Sequence, residues 1–326
     1  MGDDFASLAR RLLHEAGYSM KAAARALNYD PAYLSRALNG KQKPSLKLAT
    51  ALDQLLAANG ALAATVLDDE EQARVSRSAA NPSRLDAGTV DALAGVLAAY
   101  RRLDDSADPR TLTSAVVAQA KDVTGLLRGA RGPHRDRLAE VAAEWTLFAG
   151  WVFAQQRQDA KAVRLLNEAV DLADDAQTEQ SGELVSAAWN FRGYVARQQD
   201  RPQGVARWFS AAADVRGAHP AQRQGDLLQA AAGLAQLGQR DDALRLVDQA
   251  EGLTDQAAAL PPPAVAYWLS GAFGRLNLAI AHMGLGRHGD AVDHFTAGLA
   301  GLPPDLRSAP WTAEHRGHLA RSQALR

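Results

Sequence analysis

Apolar residues recur along most of the chain at spacings of three and four, which is the period of an amphipathic helix. Sustained alternation of apolar and polar residues, the mark of a half-buried strand, is missing from the sequence. The pattern therefore predicts an all-α protein. Its first part is a bundle of short helices, and its second part is an array of longer helices broken by Gly, Pro and Asp.

The composition divides the 326 residues into three parts. Residues 1–66 are predicted to form the N-terminal bundle. Residues 67–88 are rich in Asp, Glu and Ser and include Asn81-Pro82, which is typical of a linker. Residues 89–326 are predicted to form the helical array. Two domains are also what the length favours.

Caps and breakers delimit short helices near the N-terminus, predicted over residues 5–16, 20–27, 31–38 and 46–58. Ser19, Asp30 and Ser45 stand where an N-cap side chain accepts a backbone hydrogen bond, and Pro31 takes the first helical position. The second and third helices are joined by the turn 28–30, which makes a helix-turn-helix unit. Its predicted core consists of Ala23, Ala24, Leu27, Leu34, Leu38, Leu48, Ala49, Leu52 and Leu55.

Turn, cap and core residues of this bundle agree together with one family pattern. They are Gly17, Tyr18, Ser19, Ala24, Leu27, Asn28, Leu34, Ser35, Arg36, Asn39, Gly40, Lys41, Pro44, Ser45, Leu48, Ala49 and Leu52. The run resembles the phage-repressor (XRE) helix-turn-helix family. That family usually has Gln where Met20 stands and Gly where Asn28 stands, but Asn tolerates the left-handed backbone that Gly serves there. The resemblance implies a transcription regulator that binds double-stranded operator DNA.

The net charge of −1 conceals an uneven distribution. Residues 1–60 carry a net charge of +3 and the remainder −4, and four of the six Lys lie between residues 21 and 47. Neutralising phosphates supplies affinity for DNA that does not depend on its sequence. The candidates for phosphate contacts are Lys21, Arg25, Lys41, Lys43 and Lys47.

The exposed side of the third helix is the candidate surface for reading bases. Its residues are Ala32, Tyr33, Arg36 and Asn39. Arg pairs bidentately with guanine, and Ala contacts the thymine methyl group. Ser35 is assigned to a phosphate contact or to the turn, and Ser19 completes the set of candidate DNA contacts. The alternative is a solvated face on a bundle that binds a protein in place of DNA.

The second part of the chain repeats a helical hairpin. In each copy a turn precedes a helix with a small residue, an apolar residue four later and a small residue seven later. The copies are Ala162–Leu166–Ala169, Gly204–Trp208–Ala211, Ala243–Val247–Ala250 and Ala291–Phe295–Gly298. Their spacings are 42, 39 and 48 residues. The array resembles tetratricopeptide (TPR) repeats, which implies a superhelix with a concave binding surface.

Candidate ligand contacts follow from counting back from the small residues. Fourteen residues earlier stand Phe148, Asn190, Gln229 and Asn277, and seven earlier stand Gln155, Arg197, Gln236 and Gly284. Amides hold a peptide backbone through donor and acceptor together, and Arg197 is suited to a carboxylate. The predicted ligand-binding set is Asn190, Arg197, Gln229, Asn277, Trp189 and Tyr194. Trp145 and Trp268 are further candidates for an apolar wall. The alternative is that the Trp side chains are core and the amides are solvated.

No catalytic, cofactor or metal site is predicted. The run Gly284–Gly289 has the spacing GxGxxG, but a helical pattern precedes it where a dinucleotide fingerprint needs a strand. His315 and His318 share a helix face without Cys or a carboxylate cluster to complete a metal site. The acidic start lacks the apolar run of a signal peptide, and no stretch reaches the roughly 18 apolar residues of a membrane helix.

We therefore expect a cytoplasmic transcription regulator without a membrane segment. Its N-terminal bundle binds operator DNA, and its array forms a homodimer and senses a peptide or a small molecule. A protein-interaction adaptor, in which both parts bind proteins, is the alternative. An enzyme is the third class, and no nucleophile–base or carboxylate pair at a meaningful spacing favours it.

Overall fold

The computed structural model describes residues 5–44, 46–56, 58, 62, 65, 85–105, 109–263, 266–304 and 306–326. Across these residues every regular element is a helix, so the predicted all-α fold class is confirmed. The chain divides into two compact units, Met1–Asp104 and Asp105–Arg326. The first unit extends beyond residue 66, and the domain limits drawn from the sequence stay a prediction.

The first unit contains the helices α1 (Phe5–Glu15), α2 (Met20–Ala26), α3 (Pro31–Leu38), α4 (Leu46–Leu56) and α5 (Ala87–Asp104). The third helix has the predicted bounds. Ser19 Oγ accepts from Ala22 N at 3.1 Å, and Asp30 Oδ1 accepts from Tyr33 N at 2.7 Å, so both predicted N-caps are confirmed. Ser45, the third predicted cap, lies outside the described residues. Asn28 has a φ of 53°, the left-handed conformation expected at the family's Gly position.

One apolar cluster holds α1 to α4 together. Its buried members are Phe5, Ala9, Leu13, Ala23, Ala24, Leu34, Ala37, Leu38, Leu48, Ala49, Leu52 and Leu62. The predicted core residues belong to it, although Leu27 and Leu55 pack against it only partly buried. Ala23 and Ala24 have no exposed surface, so their small size lets α2 approach the other helices closely.

The second unit consists of longer helices. They are α6 (Pro109–Gly129), α7 (Arg135–Gln155), α8 (Asp159–Ala176), α9 (Ser181–Gln198), α10 (Pro202–Ala213), α11 (Pro220–Gln236), α12 (Arg240–Glu251), α13 (Thr254–Ala259), α14 (Gly271–Gly284), α15 (His288–Gly301) and α16 (Thr312–Ala324). Consecutive helices pack as hairpins: α7 with α8, α9 with α10, α11 with α12, and α14 with α15. The first helices of these hairpins also contact one another in order. Among the helices described, none is both long and apolar enough to span a bilayer.

The hairpin turns share one backbone geometry. Two residues after the first helix ends, Arg157, Asp200, Gly238 and Gly286 have φ values of 59°, 52°, 78° and 71°. The next residue's N–H donates back into the last turn of that helix, as from Gln158 to Phe153 O and from Arg287 to His282 O, at 3.0 and 2.9 Å. A left-handed residue of this kind closes the helix end and reverses the chain. The second helix of every pair then starts two residues after the left-handed one.

The predicted repeat is out of register in α10. Gly204, Trp208 and Ala211 are only partly buried, whereas the residues one position later are buried: Val205, Phe209 and Ala212. The predicted sets in α8, α12 and α15 are buried as expected. Val205 fits because the facing residue on α11 is Gly233, where an added Cβ would lie 3.0 Å from Val205 Cγ1 and 2.7 Å from Ala206 N. At this contact the small residue is Gly233 on α11, and α10 contributes the larger Val205.

Candidate functional site

The solvent-facing side of α3 carries most of the residues predicted to read bases. Ala32, Arg36 and Asn39 are exposed and Ser35 is partly exposed. Their spacing of three, four and seven residues places them on one face of the helix. That face is bounded by α2, which packs against α3.

Two of these side chains are already oriented by neighbours. Arg36 Nε donates to Gln42 Oε1 at 2.7 Å, and Asn39 Nδ2 donates to Ser35 O at 2.8 Å. Arg36 keeps its terminal guanidinium nitrogens for another partner, since the fork has five N–H donors. Gln42 is a residue that the sequence did not single out.

Tyr33 is placed differently from the others. Its ring is partly buried, packs against the bundle core and stacks on Tyr29 with centroids 6.1 Å apart. A ring held in this way positions α3, and only part of it is exposed. Tyr33 therefore serves the fold as well as any contact made by the face.

The basic candidates surround this face. Lys21 and Arg25 are exposed on α2, and Lys41 and Lys43 are exposed in the loop after α3. Ser19 is exposed and caps α2. The side chain of Lys47 lies outside the described residues.

The amides predicted to bind a ligand in the array are joined in a chain of hydrogen bonds. Arg197 Nη1 donates to Gln229 Oε1 at 2.6 Å, and Gln229 Nε2 donates to Asn277 Oδ1 at 2.8 Å. An added Cβ at Gly225 would lie 2.6 Å from Asn277 Nδ2, so a larger residue at this position would displace the amide. Three of the predicted residues, from α9, α11 and α14, are thus brought together, and we call them with Glu314 the Arg197 network.

The chain of hydrogen bonds ends on a carboxylate that the sequence did not indicate. Arg197 Nε and Nη2 donate to the two carboxylate oxygens of Glu314 in α16, each at 2.9 Å. The Arg197 and Glu314 side chains are only 16% and 27% exposed. Burial by itself would raise the pKa of Glu314, but the charge of Arg197 and the polar contacts made to the carboxylate together outweigh it and hold this pKa well below its usual range.

Asn190 belongs to a second, neighbouring polar cluster. Its Nδ2 donates to Asp226 Oδ1 at 2.6 Å, and Gln222 Nε2 donates to both Asp226 oxygens at 3.1 and 3.0 Å. Asp226 has no exposed surface. Burial raises the pKa of Asp226 to about 8, even though both hydrogen-bond donors lower it. The carboxyl group is therefore mostly protonated at neutral pH.

The aromatic candidates lie on two sides of α9. Tyr194 shares a face with Arg197, whose guanidinium carbon lies 5.2 Å from the Tyr194 ring centroid. Tyr194 accepts a hydrogen bond from Gln198 at 2.7 Å, and burial raises its pKa to about 12. Trp189 instead stacks on Trp208 of α10, with ring centroids 5.2 Å apart. Trp189 is thus not brought together with the Arg197 network.

The remaining Trp candidates are packed. Trp145 has no exposed surface, as the core alternative expects. Trp268 stacks on Phe191 with centroids 6.2 Å apart, and Trp151 stacks on the same Phe at 4.9 Å. The segment before α14 therefore reaches back to α9, and aromatic rings fill the space between them.

A cavity of about 650 Å³ lies beside Asn277. Its wall combines apolar residues of α11 to α14 with a few polar ones, among them Gln224, Thr254, Arg275 and His294. A volume of this size is in the range of small-molecule sites. Asn277, one of the predicted ligand-binding residues, is part of its wall.

Sequence reasoning missed Glu314, Gln222 and Asp226. Asp226 is the one acidic residue of α11 and stands directly before its apolar second half, and that position was the available signal. Glu314 offered none, because it lies 117 residues from Arg197. Within the described part of the chain, no group of three or more His, Asp or Glu side chains is arranged to hold a metal ion.

Residues 4–66 match the family profile described as a helix-turn-helix domain. No curated protein matches the chain, and no solved structure does. The chain thus carries an N-terminal helix-turn-helix domain, followed by a region of helical hairpins. This domain indicates a DNA-binding regulator with DNA as its partner and points away from an enzyme.

Proposed function

We propose that the protein is a sequence-specific transcription regulator of the XRE type, whose TPR-like array dimerises and senses an effector. The observation that carries the proposal is a helix-turn-helix domain and a separate hairpin array with a built polar site in one chain. The helix-turn-helix domain supplies the DNA contact, and the array supplies the regulation.

The face of α3 enters the major groove in this proposal. Arg36 reads guanine through its terminal nitrogens, and Ala32 lies against a thymine methyl group. Asn39 and Ser35 complete the contact at the end of the helix. Lys21, Arg25, Lys41, Lys43 and Lys47 neutralise phosphates, together with Ser19 at the start of α2.

The array is the proposed receiver of a peptide or a small molecule. Arg197, Gln229 and Asn277 converge from three helices, as in a site that recognises a polar ligand. Asn190 and Tyr194 flank them on α9, and the cavity beside Asn277 is open to a small molecule. Trp189 contributes indirectly in this proposal, because its stacking on Trp208 supports α9 against α10.

We expect a dimer because one short recognition helix contacts only a few base pairs. Repressors of this type read paired half-sites about one helical turn of DNA apart, through a two-fold dimer. We assign the pairing to the array, because an effector bound there then changes the spacing of the two readers through a population shift.

A mobility-shift assay with the DNA upstream of the protein's own gene tests the proposal. We expect a salt-sensitive shift that Arg36→Ala weakens. Arg164→Ala is the matched control, since this exposed Arg lies in α8 and pairs only with Glu168 among the residues described. Absence of any shift, together with proteins captured by the intact chain, would favour the adaptor. Light scattering on the same samples measures the dimer.

A further inference from the structure

Glu314 is bound by Arg197 in the way that a site binds a carboxylate ligand. Both carboxylate oxygens accept from one guanidinium edge at 2.9 Å, which is the bidentate arrangement that an Arg offers to any carboxylate. The remaining nitrogen, Nη1, is held by Gln229, which Asn277 holds in turn. Arg197 is therefore aimed by residues of α11 and α14, and the carboxylate arrives from outside this set, on α16.

The helix that brings Glu314 is attached mainly through polar side chains and through the rings of His315 and His318, which lie against Phe295. The buried residues of α16 are Thr312, His315 and Ser322, and no apolar side chain of the helix is fully buried. Trp311, just before it, and Leu319 pack only partly buried against the cluster of α14 and α15. By contrast, α14 buries Leu276, Ala279 and Ile280. Burial of apolar area is what makes helix docking strong, and α16 has little of it.

Several polar atoms under α16 lack the partners that a permanent interface supplies. Among the residues described, His315 Nδ1, both ring nitrogens of His318 and Ser322 Oγ are buried without a hydrogen bond. His318 Nε2 lies 3.5 Å from a Glu314 oxygen, outside hydrogen-bonding geometry. An unsatisfied buried polar group destabilises its interface, and water satisfies these groups when the helix leaves. The interface of α16 is thus suited to opening.

We propose that α16 is a displaceable built-in ligand of the array, and that Glu314 holds on Arg197 the place that the carboxylate of an acidic peptide effector takes. The inference rests on the proposed function and specifies it: the effector is a carboxylate-bearing peptide, and its binding is coupled to release of α16. Because α16 competes from within the same chain, at an effective concentration on the order of millimolar, a weak acidic peptide does not displace it. A specific effector must make further contacts, and these replace the hydrogen bonds that Asn190 and Asn277 make within the array.

The experiment uses the full chain and a fluorescein-labelled synthetic peptide of residues 308–326 as the probe. Glu314→Gln in the chain removes the internal carboxylate, and we expect the probe to bind this variant at least tenfold more tightly than the unsubstituted chain. A probe carrying the same substitution should lose this gain, and so should the chain with both Glu314→Gln and Arg197→Met. Glu168→Gln is the matched control, since it removes only an exposed pair with Arg164, and should leave probe binding unchanged.

Hydrogen exchange gives the second measurement. In the Glu314→Gln chain, amides of α16 should exchange at least tenfold faster while those of α11 and α14 keep their rates. Equal acceleration across the array, or no gain in probe binding, would overturn the proposal and make the ion pair a fixed part of the fold. Glu314→Asp places the carboxylate one methylene farther from Arg197, and we expect a gain in probe binding smaller than that of Glu314→Gln. This variant tests the proposal if the Gln variant does not fold.

The outcome is separable from that of the proposed function because neither measurement uses DNA. Tight binding of the probe without any change in the mobility shift would support the displaceable helix. The same result would contradict the proposal that an effector controls DNA binding. A chain that shifts DNA but never binds the probe would leave the regulator in place and reject the built-in ligand.

Discussion

The helix-turn-helix bundle and the hairpin array use polar side chains in opposite ways. In the bundle the core cluster is apolar, and its candidate functional groups, such as Arg36 and Lys21, are exposed on the surface. In the array the candidate groups are buried and bind one another, as Arg197, Gln229 and Asn277 do. Recognition in the bundle therefore adds contacts to a complete fold, whereas recognition in the array must exchange contacts that the fold already uses.

This contrast predicts separate responses to substitution, and the chain offers a way to observe them. All six Trp stand at residue 145 or later, so Trp fluorescence reports on the array alone. Far-UV circular dichroism reports on both regions.

Removing the buried cation should have the largest effect. Arg197→Met leaves Glu314 without its partner, and we expect a loss of about 3 kcal/mol in the free energy of unfolding of the array. This is the lower end of the range for buried pairs, because Glu314 keeps some access to water. Urea unfolding followed by Trp fluorescence measures it. The double variant with Glu314→Met should recover most of the loss, and a double variant as unstable as the single one would contradict the assignment.

The free energy of unfolding of the array should depend on pH through the titration of Asp226. Its pKa of about 8 lies above the value in the unfolded chain, so the folded state binds more protons between about pH 4 and 8. The contribution of this group is fully present below pH 4 and is lost as the pH rises through 8, at no more than about 1.4 kcal/mol per pH unit. Asp226→Asn cannot titrate. The difference in unfolding free energy between this variant and the unsubstituted chain, measured from pH 5 to 8.5, should therefore move in favour of the variant. A constant difference would show that Asp226 is ionised throughout.

Substitution in the recognition face should act on binding without acting on the fold. Arg36→Ala should weaken operator binding by about tenfold to a hundredfold, equivalent to about 1–3 kcal/mol. The free energy of unfolding should change by less than about 0.5 kcal/mol, because the side chain is exposed. Titration by mobility shift and urea unfolding on the same preparation test both halves. A stability loss as large as the binding loss would mean that the face is structural.

Loss of a helix cap should have the smallest effect and should be confined to the bundle. Asp30→Ala removes the acceptor of the Tyr33 N–H, and we expect a loss of about 1 kcal/mol in the stability of the bundle. The Trp-detected transition should stay where it is while the transition seen by circular dichroism moves. A shift of both together would show that the two units unfold as one.

Local signals predicted the bundle well. Pro31 and the cap at Asp30 fixed the start of α3, and the apolar spacing of Leu34 and Leu38 placed its buried side. Each of these features depends on residues within one or two turns of the helix, so the local sequence is enough to predict the start and the buried side of α3. Tyr33 was assigned to the reading face because sequence spacing does not show how far a large ring leans onto the core.

In the array, local signals predicted the turns but not every register. The left-handed residues at 157, 200, 238 and 286 lie in the turn that the sequence predicts before the second helix of each pair. In α10 the set beginning at Gly204 satisfies the pattern, but the buried set begins one residue later, at Val205, which is not a small residue. The choice of Val205 depends on Gly233, which belongs to a different helix. Counting back from Gly204 led to Asn190, whereas the position that corresponds to Gln229 and Asn277 is Phe191.

The all-α class, the helix-turn-helix unit, its caps and its exposed basic face could be predicted from the chain, because these depend on period, propensity and neighbours a few residues apart. Only the tertiary structure decided that Asn190 bonds Asp226, that Trp189 faces α10, and that Glu314 occupies Arg197. These contacts join residues that are distant along the chain, and the burial that sets their energies arises only when the helices pack.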